Sequence, residues 1–305
     1  MTWWRGGGRL GVLFTAGELV GVWTRGRGAD VGAVALARER LAAGPDGDRV
    51  ALALSRLAAS LGAPRGPVHG ALDDTEAVVR LTRVPPMPVG ELRQAVRLDA
   101  HRFVPFEPDQ AYIDYAVVGR EEGEAGAPGQ WRLAVAAAPR SRVDAVLTAA
   151  RRARLAVADL EVEAVCLGRA VEALGAPTEA AALVDVHSAE AGWTVKVTCF
   201  GRGVPLVVRS LAGLTSPQDV APALVPLLQF FASQNHPIGL TQVWVSGSGT
   251  PDVLPSLRDA VRDRLSGDLA VEERRWQVGG RALDVRELAA WGASLGEGVP
   301  NGLWR

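Results

Sequence analysis

Hydrophobic residues fill nearly every position of residues 10–23 around one break, Ala16-Gly17-Glu18. That pattern predicts two short buried strands joined by a tight turn. Residues 31–37 read as a third strand. Over residues 48–61 the period changes, with Val50, Leu52, Leu54, Leu57, Ala58 and Leu61 at helical spacing. Residues 63–67 break that helix, and residues 68–72 and 77–84 return to strand-like runs. The order β-β-β-α-β suits a mixed sheet with helices on its faces.

Pro85-Pro86-Met87-Pro88 then interrupts the pattern, because proline fixes φ and removes donors. A helix is predicted over residues 89–102, with Pro88 at its entry and Leu92, Ala95, Val96 and Phe103 on one face. Strands follow at residues 112–118 and 133–138, with an acidic, glycine-rich loop between them. Ser141, three residues before Asp144, predicts a capped helix to about residue 154. A strand at 155–162 and a helix at 163–174 complete the first half. Residues 175–179 are the expected hinge. The second half repeats the theme: strands at 182–185, 193–200 and 204–209, a helix at 222–234, a strand at 241–245, and helices at 254–265 and 285–295. Gly201-Arg202-Gly203 reads as a hairpin turn and Ser246-Gly247-Ser248-Gly249 as a glycine turn. Two similar lobes are the expectation.

Composition narrows the function classes. The 305 residues suffice for two packed lobes, and 48% apolar with 22% charged residues is the balance of a soluble globular chain. A formal net charge of −1 gives no case for nucleic acid or anionic lipid. No stretch of about 18 uninterrupted apolar residues predicts a spanning helix, so a cytoplasmic protein is expected. The two cysteines, Cys166 and Cys199, lack metal-ligand spacing and read as buried thiols. His69, His101, His187 and His236 are scattered, so no metal site is expected. Spacing alone brings out no Ser/His/Asp or Cys/His set, and no catalytic residue is assigned. Phe230 and Phe231 read as core. Gly6-Gly7-Gly8 follows no strand, so it is not a phosphate loop. Arg151, Arg152 and Arg154 read as a solvated helix end.

Three segments resemble the PilM family of type IV pilus assembly proteins. Val84-Pro85-Pro86-Met87-Pro88 through Val104-Pro105-Phe106, continuing at 112–119 and 133–139, is similar to the run that marks the family's inserted 1C subdomain. Ala182-Leu183-Val184-Asp185 followed by residues 200–206 resembles a second family motif, and Leu228-Gln229-Phe230-Phe231-Ala232-Ser233-Gln234 with Val245-Ser246-Gly247-Ser248-Gly249 a third. The resemblance implies an α/β, actin-like (FtsA-like) two-lobed fold. It divides the chain into lobe 1 (1–84 and 155–178, 1A-like), an inserted 1C-like subdomain (85–154) and lobe 2 (179–305, 2A/2B-like).

Actin-fold nucleotide sites cradle phosphates in two hairpin turns. Against the family's first hairpin, Leu13 stands at the aspartate position, Thr15 at the first loop glycine and Val20 at the lysine, with Glu18 where phosphates belong. The second hairpin keeps an acid, Asp185, but His187 replaces a glycine and Glu190 falls among the family's hydroxyls. Ala223 and Pro226 stand where a Glu and an Arg are expected, and only Gly247 and Gly249 survive from the last turn. A carboxylate about 4 Å from a phosphate costs about 1 kcal/mol in water and about 4 at an effective dielectric of 20. The expectation is therefore a degenerate ATPase site with weak or no ATP and Mg²⁺ binding, its residual residues being Thr15, Asp185, Gly247 and Gly249.

The resemblance further implies a scaffold under the inner membrane that binds the cytoplasmic N-terminal peptide of a PilN-like bitopic protein. Self-association as a dimer or ring fits the family too, with neither nucleic-acid binding nor direct membrane insertion. The groove residues would be Val84, Met87, Leu92, Val96, Phe103 and Phe106, whose spacing fits plain core packing equally well. An active actin-fold ATPase and the cytoplasmic L component of type II secretion stand as alternatives.

Overall fold

The computed structural model describes residues 8–26, 35–41, 47–63, 67–102, 104–121, 129–176, 180–189, 192–234, 240–265 and 269–296. The chain forms two compact units. One takes residues 1–166 and 289–305, the other residues 167–288.

In the first unit, β1 (Gly8–Phe14) and β2 (Glu18–Arg25) form the expected hairpin, and β3 (Ala35–Arg40) adds to it antiparallel. Helix α1 (Gly47–Ser60) crosses back, so β4 (Val68–Leu72) lies parallel to β1. The chain then builds β5 (Val78–Val84), α2 (Val89–Leu98), β6 (Ala111–Glu121), β7 (Gln130–Pro139) and α3 (Arg140–Arg152) before β8 (Val157–Val162) returns parallel to β4. The five-stranded order is β3-β2-β1-β4-β8, and a separate three-stranded sheet runs β5-β7-β6. Strand β5 thus pairs with β7, drawing residues before the proline run into the smaller sheet.

Central strand β1 is buried on both faces. Leu10, Val12 and Phe14 meet Leu54 and Leu57 of α1 and Val146 and Ala150 of α3 in one apolar cluster. The opposite face carries Gly11, where a Cβ would overlap the carbonyl oxygen of Ala290. The glycine therefore lets a helix backbone approach the strand directly.

Helix α4 (Glu163–Ala173) leads into the second unit. Here β9 (Ala181–Ala189), β10 (Gly192–Gly201) and β11 (Val204–Leu214) form an antiparallel meander, α5 (Val220–Gln234) crosses, and β12 (Gln242–Ser246) lies parallel to β9. After α6 (Thr250–Arg264), β13 (Ala270–Glu273) pairs parallel with β12. The order β11-β10-β9-β12-β13 reproduces that of the first unit strand for strand. A short hairpin of β14 (Trp276–Val278) and β15 (Arg281–Leu283) follows, then α7 (Val285–Ser294). Asp284 and Glu287 cap α7 reciprocally, each side chain accepting the other residue's backbone N–H at 2.9–3.0 Å.

Several sequence expectations need correction. Ser141 does not cap α3: the helix already begins at Arg140 behind Pro139, with no side-chain capping bond. The pre-set φ of Pro139 starts the turn earlier, and the Asp144 carboxylate instead accepts the Tyr112 hydroxyl at 3.3 Å. Phe231 is core, but Phe230 is 56% exposed, because adjacent helix positions lie about 100° apart. The predicted helix over 89–102 ends at Leu98 and tightens into a 3₁₀ turn at Ala100–Arg102. The strand expected over 31–37 lies at Ala35–Arg40, and residues 31–34 fall outside the described residues. Strands β13, β14 and β15 were not foreseen. Cys166 and Cys199 are buried thiols that form no disulfide, and burial pushes the Cys199 thiol up to about 12.

Replacing Gly11 with alanine forces a methyl group into the α7 backbone, so Gly11→Ala is expected to destabilise the fold by about 2–3 kcal/mol. A urea-unfolding midpoint unchanged from the parent chain would refute this contact.

Candidate functional site

The first unit places Thr15 just after β1, 6% exposed, first of the three residues that link β1 to β2. Its hydroxyl accepts the backbone N–H groups of Gly17 (3.3 Å) and Glu18 (3.0 Å) and donates to the Glu18 carbonyl at 2.9 Å. The Thr15 N–H also bonds the Glu18 carbonyl, at 3.1 Å. The turn is closed upon itself, with the N–H groups of Gly17 and Glu18 taken by the Thr15 side chain. Glu18 pairs with Arg38 of β3 at 3.4 Å. Below the turn, Arg142 of α3 holds Glu76 at 2.7 and 2.8 Å and reaches the Thr15 carbonyl at 3.4 Å. Burial raises the Glu76 carboxyl above its ordinary value, and Arg142 works against that rise.

The second unit brings Asp185, Gly247 and Gly249 together. Asp185 lies on β9, 7% exposed, with Lys196 opposite it on β10 and Ser246 beside it on β12. After β12 the chain turns through Gly247 at φ +105°, where a Cβ would overlap the Val186 carbonyl oxygen. The Gly249 N–H donates to that same carbonyl at 3.0 Å. A Cβ on Gly249 would run into the Trp193 ring. Both glycines are required by the protein's own packing. Beneath them, the Ser246 hydroxyl donates to the Arg274 carbonyl at 2.6 Å and accepts the Trp276 indole N–H at 3.1 Å. Trp276 meets Trp244 edge to face, centroids 5.7 Å apart.

The same turn holds a constellation that the spacing of the sequence conceals. His187 Nε2 lies 3.0 Å from Asp185 Oδ1, and His187 Nδ1 lies 3.5 Å from the hydroxyl of exposed Ser248. Asp185 and His187 share a face because they are two apart on one strand, while Ser248 arrives from a parallel neighbour 61 residues away. The Asp185 carboxylate beside it raises the His187 pKa against the opposing effect of burial. Glu190 lies outside the described residues.

The residues proposed for a groove divide by burial. Leu92 (1% exposed) and Val96 (3%) are core, packed on Leu133 and Val135 of β7. Val84 and Met87 flank that cluster half-buried, and Phe106 is half-buried. Phe103 lies outside the described residues. Among the described residues, no group of three His, Cys, Asp or Glu could hold a metal, and no helix is long and apolar enough to cross a membrane.

Two α/β units with the same five-strand order, one interrupted by a small sheet, define a protein of the actin-like ATPase fold. No family model and no curated protein matches the chain. Among solved structures it is similar to a chain of the PilM-PilN type IV pilus biogenesis complex, with 21% identity, 94% of this chain and 97% of that one covered, and a TM-score of 0.68. It is also similar to the cytoplasmic domain of EpsL, an inner-membrane component of the Vibrio cholerae type II secretion system, at 11% identity, 94% of both chains and a TM-score of 0.52. A Bacteroides thetaiotaomicron protein with actin-like ATPase fold and unknown function follows at 10% identity, 87% of this chain, 90% of that one and a TM-score of 0.50.

A raised His187 pKa has a direct consequence for stability. The folded state binds this proton more tightly than the unfolded state, so the pair contributes fully below the ordinary histidine value of about 6.5 and loses that contribution as pH rises through the folded value. The stability lost in His187→Gln should therefore be larger at about pH 5.5 than at about pH 8.5. Equal losses at both pH values, by thermal unfolding, would count against the pair.

Proposed function

We propose that this chain is an actin-fold scaffold of a type IV pilus or related inner-membrane assembly platform. It binds the cytoplasmic N-terminal peptide of a PilN-like bitopic membrane protein and sits at the inner face of the membrane through that partner. The observation that carries this reading is the fit, over 94% of the chain, to a chain of a complex between PilM and PilN. The similarity to the EpsL cytoplasmic domain keeps the same role in a type II secretion machine as a second reading.

The partner groove is placed where half-buried apolar side chains border the small sheet: Val84, Met87 and Phe106 line it, with Leu92 and Val96 supporting from the core. A synthetic peptide from the N-terminus of the neighbouring PilN-like protein is expected to bind, and Met87→Asp and Phe106→Ala to weaken it about tenfold, or 1.4 kcal/mol, without lowering the melting temperature. Absence of binding, or binding unchanged in both variants, would remove the groove assignment.

Weak or absent nucleotide binding is part of the proposal. The supporting observations are the hydroxyl of Thr15 holding the turn N–H groups, and Trp193 filling the space beside Gly249. Backbone N–H groups engaged inside the protein are lost as phosphate donors unless the turn rearranges. Titration with a fluorescent ATP analogue and Mg²⁺ should show no low-micromolar binding, and such binding would overturn the degenerate-site reading.

A further inference from the structure

We propose that the outer face of α1 and the end of α3 form a surface for anionic lipid bilayers, an inference that rests on the scaffold reading for the chain's place beside a membrane. The formal net charge of −1 hides an uneven distribution. Residues 47–60 and 145–154 carry five arginines, Arg49, Arg56, Arg151, Arg152 and Arg154, against one acid, Asp48. All five arginines are exposed. The two helices pack side by side through Val50, Ala51 and Ala149. The Arg152 guanidinium meets the Asp48 carboxylate and lies 3.3 Å from where a Cβ of Gly47 would stand. The arginines of both helices therefore share one surface. Asp144, the next acid on α3, lies about two turns before Arg151 and accepts the Tyr112 hydroxyl.

Leu52 lies within this surface and is 53% exposed. It stands three residues after Arg49 and four before Arg56, a spacing that puts all three on one helix face. An apolar side chain flanked by guanidinium groups suits a bilayer interface, where the cations meet headgroup phosphates and the leucine meets the acyl boundary. It does not suit nucleic acid, because residues 47–60 and 140–154 contain no aromatic side chain on which a base could stack.

Arg154 adds an independent observation. Helix α3 ends in a Schellman turn, in which the Arg154 N–H donates to the Arg151 carbonyl at 3.0 Å and the Leu155 N–H to the Ala150 carbonyl at 2.9 Å. Arg154 takes the left-handed position of that turn, at φ 58°, which glycine would fill without strain. A strained cation thus stands at the edge of the basic surface, and strain held at one residue points to a use for its side chain. Salt confines the attraction of such charges to about 8 Å at physiological ionic strength. The surface therefore acts at close range, fixing which face the chain turns to the lipid.

The test is flotation of the full chain with vesicles of equal parts phosphatidylcholine and phosphatidylglycerol, and with vesicles of phosphatidylcholine alone. Binding is expected to the anionic vesicles only, and to be lost at high salt. Arg56→Ser and Arg151→Ser should each weaken it about fivefold, and Leu52→Ser should weaken it at unchanged charge. Arg154→Gly should weaken vesicle binding while raising the melting temperature, whereas a residue serving the helix end alone would leave vesicle binding unmoved. No binding to anionic vesicles, equal binding to neutral ones, binding unchanged across the four variants, or tighter binding to a single-stranded oligonucleotide than to vesicles each overturns the proposal. All four variants are expected to bind the PilN-like peptide normally, so a parent chain that floats with anionic vesicles but binds no peptide would sink the scaffold reading and leave this surface standing.

Discussion

A central strand buried on both faces obliges every polar group at its end to find a partner, because desolvating a hydrogen-bonding group without one costs on the order of 1–3 kcal/mol. Both units are built around such a strand, β1 in one and β9 in the other. Their polar ends carry Thr15 and Asp185, each more than nine-tenths buried. In a fold that serves a nucleotide, a ligand can meet part of that obligation. In this chain Thr15 meets it with the turn behind it, whereas Asp185 keeps Oδ1 buried without a hydrogen bond, 3.0 Å from His187 Nε2.

The constraint propagates outwards in each unit. Because the turn after β1 is closed by its own hydroxyl, Arg142 needs to bind only the outward carbonyl of Thr15, and it takes Glu76 as its main partner. Beside Asp185, the glycine turn after β12 settles against the Val186 carbonyl and the Trp193 ring. Ser246, one residue before that turn, then ties the strand to Arg274 and Trp276. The unforeseen β14–β15 hairpin is thus part of what holds the turn.

Most of the main elements were legible as period and punctuation. The helix at Gly47–Ser60 and the hairpin around Gly201-Arg202-Gly203 followed from periodicity and turn chemistry, and Arg202 and Gly203 do take left-handed φ. The hairpin at 276–283 was equally marked by Gly279-Gly280, but three-residue strands are too short for alternation to register. The site was legible only in part. Asp185, Gly247 and Gly249 could be named singly, yet the approach of Ser248 to His187 depends on β9 and β12 being parallel neighbours, which no local pattern encodes. Burial of Leu92 and Val96 likewise follows from their packing on β7, whereas helical spacing alone cannot tell a covered face from a groove.

The two glycines that survive in the last turn carry a wider point about reading sites from residues. Glycine at a phosphate loop and glycine at a crowded turn are the same letter, and both reflect a missing Cβ. At Gly247 the space goes to a backbone carbonyl, and at Gly249 to an indole ring. Substitution at either position would be opposed by packing whether or not a ligand ever binds. Retention of such residues therefore follows from the fold, which supports many chemistries. Function has to be argued from the groups left outward-facing, and at this turn the outward group is the hydroxyl of Ser248, 3.5 Å from the His187 ring.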